Sequence, residues 1–148
     1  MHRMKHMAGW GRSTFWMMTA VVLLLWLSGC VMYGLPAEEL PDMTASQETM
    51  RRFSGVVHGV VSWLFCMMLG RGVWPHVRVM WHRRTDPAKW LWGLCNLVLL
   101  GFLALGGLVL LYGSPWMHDA LSPWHFWLGA LGPLLYLAHT WRRFWVCR

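Results

Sequence analysis

The chain has 148 residues, a length that normally makes one domain, yet 57% of them are apolar and only 13% are charged, which excludes an ordinary water-soluble core. The formal charge of +7 is spread over three segments that flank apolar runs, which suits anionic lipid and needs no nucleic acid to explain it.

The amino-terminal segment MHRMKHMAGWGR carries Arg3, Lys5 and Arg12 and reads as a basic cytoplasmic leader; its His2 and His6 read as exposed residues rather than as a soft-metal site. The first apolar run, about 13–33, has the roughly 20 residues that a helix needs to cross about 30 Å of hydrocarbon. Within it, LSGC at 27–30 also resembles the end of a lipoprotein signal, but the apolar run continues through Val31, Met32 and Tyr33, which favours an uncleaved span. An outer loop, 34–52, gathers Glu38, Glu39, Asp42 and Glu48 and ends on Arg51 and Arg52.

The second span, about 53–74, begins near His58 and gives way at Pro75 and His76 to a basic loop, 75–90, with Arg78, Arg83, Arg84 and Lys89. The third, about 91–112, carries Gly101, Gly106 and Gly107, a small-residue face on which a partner helix could pack. Its end, LLYGSP, echoes the VMYGLP that ends the first, as a pair of repeated hairpins would. A second outer loop, GSPWMHDALSP, has no Lys or Arg, and the fourth span, about 121–139, runs into a tail with Arg142, Arg143 and Arg148.

Basic residues collect on the cytoplasmic side, so both termini are expected inside. Trp16, Trp74, Trp81, Trp90, Trp116, Trp124 and Trp141 flank the spans, where an aromatic belt sits. The expectation is an all-α membrane protein, a single domain over 1–148 forming a four-transmembrane-helix bundle. Cys66, Cys95 and Cys147 fall in spans or on the cytoplasmic side, and no disulfide framework is expected. Met67, Met68 and Met80 read as lipid-facing or gap-filling.

Histidine inside an apolar span is costly unless its ring nitrogens are bound. His125 and His139 are fourteen residues apart, which at about 100° per residue falls about 40° short of four turns, so both face one side of their helix. His58 and His76 are eighteen apart, five full turns. The two spans run in the same direction, so His58 meets His125 near the outer surface and His76 meets His139 near the inner one. Two imidazoles facing each other across an apolar bundle are the axial ligands that a haem iron takes. Gly55, Gly59, Ser62, Gly129 and Gly132 lie within about two turns of a ligand and would let a flat macrocycle approach the backbone. The axial distances differ, about 27 Å on the second span against about 21 Å on the fourth, so the inner pair is expected to be strained, with Pro75 and Pro133 available to bend the helices. His82 and His118 read as exposed.

The positions His58-Gly59, His76-Val77, Tyr112-Gly113, His125, Gly129, His139 and Trp141-Arg142-Arg143 resemble those of small bacterial b-type cytochromes, the cytochrome b561-like and hydrogenase or formate-dehydrogenase cytochrome-subunit group. The resemblance covers roughly 13–143 as scattered positions. It implies one or two non-covalent haem b groups, electron transfer across a bacterial inner membrane, and a c-type cytochrome, dehydrogenase or other redox subunit, or quinone, as partner. It implies no stand-alone enzyme. No Cys-x-x-Cys-His occurs, so covalent haem is not expected. The competing expectation is a haem-free four-helix subunit with a structural or assembly role. A transporter is disfavoured because no span centre holds an ionisable residue.

Overall fold

In hydrocarbon the backbone has no water to bond, so each apolar segment must satisfy its own N–H and C=O groups, and a helix does so within one segment. The computed structural model describes residues 11–36, 41–82 and 87–146, excluding the side chains of 80, 82, 89 and 142–146. It consists of four helices: α1 (Arg12–Gly34), α2 (Ala45–His82), α3 (Pro87–Tyr112) and α4 (Pro115–Val146). The expectations for His2, His6, Arg3, Lys5, Glu38, Glu39, Arg83, Arg84, Cys147 and Arg148, and for the side chains of Met80, His82, Lys89, Arg142 and Arg143, lie outside the described residues.

The ends follow local chemistry. α2 starts eight residues before the expected span because Thr44 and Gln47 cap it reciprocally: the Thr44 N–H donates to Gln47 Oε1 at 2.9 Å, and the Gln47 N–H approaches Thr44 Oγ1 at 3.4 Å. One turn on, Arg52 Nε donates to Glu48 Oε1 at 3.0 Å, an exposed pair four residues apart. α3 and α4 each begin on proline, which has no N–H to leave unpaired in the first turn. Pro75 stays inside α2, and Pro123 and Pro133 stay inside α4.

Three of the helices are long and apolar enough to cross a membrane: α1, α2 over Ala45–Val79, and α3 over Trp90–Tyr112. The fourth expected span falls below that level. α4 carries His118, Asp119, His125, His139, Thr140 and two internal prolines among its apolar residues, and these lower its mean hydropathy.

α1 packs along α2 and also against α4; α3 packs along α4 and touches α2 only lightly, so α2 and α4 stand opposite one another. Met18 and Val21 of α1 meet Val61 and Phe65 of α2 in the core. Most other large apolar side chains face outward, as they do where lipid is the solvent; six of the seven span-flanking tryptophans, all but Trp90, are exposed. Polar and aromatic contacts join the two hairpins. Thr19 Oγ1 and the Tyr136 hydroxyl lie 2.8 Å apart between α1 and α4. The Tyr33 and Phe126 rings stack with centroids 3.6 Å apart.

Candidate functional site

Because α2 and α4 are held apart by α1 and α3, a partly open cavity of about 1520 Å3 lies between the helices, and all four line it. That exceeds the roughly 300–1,000 Å3 of ordinary small-molecule pockets. His58 and His125 face each other at one end, with ring centroids 6.4 Å apart and planes at 68°. His76 and His139 do so at the other, 6.2 Å apart and at 85°. His58, His76 and His125 are half-buried, and His139 is more exposed, opening onto the cavity.

The structure therefore brings together both pairs that spacing selects. The mismatch of about 6 Å between the axial distances does not separate the inner pair. A proline within a helix bends its axis, and Pro75 precedes His76 directly while Pro133 lies between the two histidines of α4. The outer pair is not free of proline either, since Pro123 lies two residues before His125.

Glycines occur in two settings. Gly55, Gly59 and Gly132 line the cavity, and a Cβ on any of them would meet nothing within 4 Å; a Cβ on Gly129 would touch only Leu103, at 3.8 Å. These positions leave space beside the histidines. The other set stands against the rings, on α1 and α3, with Gly29, Gly93 and Gly107 lining the cavity as well. A Cβ on Gly29 would lie 3.5 Å from His58 Cε1, and one on Gly107 3.7 Å from His125 Cε1. At Gly106 it would lie 3.2 Å from His125 Nδ1, and at Gly93 3.3 Å from His139 Cε1, so there the ring would have to give way. The small-residue face expected to receive a partner helix is thus used within the chain: Gly106 and Gly107 seat His125, and only Gly101 is open.

The nitrogens behind the outer pair differ. Buried Ser28 places its Oγ 2.9 Å from His58 Nδ1, whereas His125 Nδ1 is buried with no hydrogen-bond partner. Between the two ends, buried Asn96 donates from Nδ2 to the Trp92 carbonyl at 2.9 Å and the Leu135 carbonyl at 3.1 Å, tying α3 to α4 beside the cavity. Among the described residues no three His, Cys, Asp or Glu side chains gather. His118 is exposed, with Nδ1 3.9 Å from Asp119 Oδ1.

Sequence reasoning missed Ser28, Gly29, Gly93 and the role of Gly106 and Gly107. The hairpin echo comes close without finding them: carried back in its own register, it sets Leu27-Ser28-Gly29 beside Gly106-Gly107-Leu108, one residue out of step with the glycines that meet the rings. Comparison with protein-family models, curated proteins and solved structures yields no match, so the cytochrome resemblance rests on this chain's own residues.

Proposed function

We propose that the chain is a membrane b-type cytochrome that holds haem b between His58 and His125 and between His76 and His139, and passes electrons between the two ends of the bundle. One observation carries this reading. Two metal–nitrogen bonds of about 2.0 Å, plus the distance of roughly 1.15 Å from nitrogen to ring centre on each side, put the centroids of two trans imidazoles about 6.3 Å apart. The pairs stand at 6.4 and 6.2 Å. The glycines that open onto the cavity, Gly59, Gly129 and Gly132 among them, leave room for a flat ring beside each pair.

Bound there, haem supplies a reversible one-electron couple at its iron. The protein's part is to hold neutral imidazoles, to exclude water with the apolar walls, and to keep the two sites at a fixed separation through the Asn96 and Tyr136 contacts. α4 then acts as a fourth membrane-crossing helix whose histidines face inward. Both termini lie in the cytoplasm, the donor or acceptor at the outer end is a periplasmic protein or partner subunit, and quinone or a cytoplasmic-side partner serves the inner end. The haem-free reading loses support because two of its three packing glycines are taken by His125.

The test is colour and orientation. Purified protein from a haem-sufficient host should show a dithionite-reduced α band, and a colourless preparation would sink the proposal. A reporter fused after Arg148 should work only in the cytoplasm and one inserted near Thr44 only outside; the reverse pattern exchanges the two ends.

A further inference from the structure

The two histidines of the outer pair are seated alike but bonded differently. Gly29 and Gly107 both stand against Cε1 of their histidine, at 3.5 and 3.7 Å from a built Cβ, so the pairs Ser28-Gly29 and Gly106-Gly107 occupy equivalent places on α1 and α3. The residue before each glycine faces Nδ1. On α1 it is Ser28, 2.9 Å from His58 Nδ1; on α3 it is Gly106, which has no side chain to offer, and His125 Nδ1 is left alone in a buried position.

The direction of the Ser28 bond can be assigned. A hydroxyl has one proton, and the Ser28 Oγ lies 2.7 Å from the Leu24 carbonyl and 3.1 Å from the Leu25 carbonyl, both of which can only accept. The oxygen is then an acceptor toward the ring, and the Leu25 carbonyl is a second acceptor beside the same ring, so the proton on this side of His58 belongs to Nδ1. A neutral imidazole carries only one, which leaves a lone pair on Nε2, at the opposite side of the ring from α1.

We propose that Ser28 is a positioning residue: by accepting the Nδ1 proton it holds His58 in the tautomer whose Nε2 lone pair faces the cavity, and it makes His58 the stronger electron donor of the outer pair. The second half rests on the haem reading. An acceptor at Nδ1 increases the donor strength of Nε2 and so favours ferric over ferrous iron, which lowers the potential. Removing Ser28 raises the potential of the outer site.

The experiment uses the full chain in lipid nanodiscs, as parent, Ser28→Ala and Ser28→Thr, with two readouts. Histidine side-chain nitrogen-15 shifts in protein prepared without haem report the tautomer. His58 should carry its proton on Nδ1 in the parent and in Ser28→Thr, and should move toward the Nε2–H form in Ser28→Ala. Redox titration of the haem-loaded protein, with the outer site assigned by its absence in His125→Ala, should show that site higher in Ser28→Ala by about 59 mV, a tenfold change in ferric over ferrous preference. The inner site should not move, haem per chain should be unchanged, and Ser28→Thr should restore the parent value. An Nε2–H His58 in the parent, or equal potentials in parent and Ser28→Ala, overturns the assignment. A chain that takes up no haem defeats the cytochrome reading instead, and the nitrogen shifts then decide the role of Ser28 by themselves.

Discussion

At the outer end of the cavity three glycines stand behind the histidines, Gly29 against His58 and Gly106 with Gly107 against His125, whereas at the inner end Gly93 stands behind His139. The outer end has a hydrogen-bonded Ser28; the inner end has Pro75 beside one histidine and the more exposed His139 as the other. Yet the ring separations differ by only 0.2 Å, 6.4 against 6.2 Å. Packing that differs this much in its residues while converging on one distance teaches that the distance is what the two ends share, and the surroundings are what distinguishes them. Each prediction below presses on one side of that statement.

The largest effect is on haem content. If both ends hold haem, the parent carries two per chain, His125→Ala and His139→Ala carry one each, and the double variant carries none, because each change removes one of the two side chains that would hold the iron at its end and leaves a methyl in its place. Strain from unequal helix lengths would instead predict little loss on replacing His139. The inner pair is closed to the same separation as the outer, so the expected losses are equal. Pyridine haemochrome assay of purified variants checks this, and full haem in both single variants would remove the histidines from the site.

Much of this arrangement is legible in the sequence. Spacings of fourteen and eighteen residues place each helix's two histidines on one face, and that follows from helical geometry alone. The extra length of α2 was missed, because the Thr44 to Gln47 capping box lies in a segment, 34–52, that reads as an acidic outer loop. What spacing does not contain is the rotation and axial offset of neighbouring helices. Those are set by how side-chain ridges mesh over the whole contact, so which residues of α1 and α3 would stand behind the rings was hidden. For the same reason Gly106 and Gly107 read as an outward packing face when they turn inward to His125. The offset between 27 and 21 Å misled in the other direction: it treated α2 and α4 as straight and parallel, and three prolines lie inside them.

A smaller, site-selective effect comes from the glycines behind the rings. Gly93→Ala brings a methyl to 3.3 Å from His139 Cε1, and Gly106→Ala brings one to 3.2 Å from His125 Nδ1. Overpacking of this kind costs about 1–3 kcal/mol. Gly93→Ala should therefore loosen only the inner haem and Gly106→Ala only the outer, each by roughly 5- to 150-fold in retention, the same energies expressed as affinity ratios. Gly101→Ala, which meets nothing within 4 Å, is the control. Alanine is the better helix former by about 1 kcal/mol, so loss of the helix would not explain a loss of haem. The readout is the rate at which each haem transfers to excess apomyoglobin; equal acceleration of both haems by one variant would show that the glycines act on the bundle as a whole.

The finest distinction lies in the angle between ring planes, 85° at the inner pair and 68° at the outer. Each axial imidazole raises the iron d orbital that overlaps its π system. Parallel rings raise the same orbital and separate it from its partner, whereas perpendicular rings raise both equally and leave them nearly degenerate. Near-degenerate orbitals mix strongly through spin–orbit coupling, which makes the ferric low-spin signal more anisotropic and moves its largest g value upward. Both sites should show this character, the inner one more strongly. Low-temperature electron paramagnetic resonance of oxidised protein should resolve two low-spin signals. His125→Ala should leave the one with the larger g value, and His139→Ala the other. The reverse assignment, or a single shared g value, would mean that bound rings turn away from the planes seen here, and the two ends would then be alike in the one property by which their geometry sets them apart.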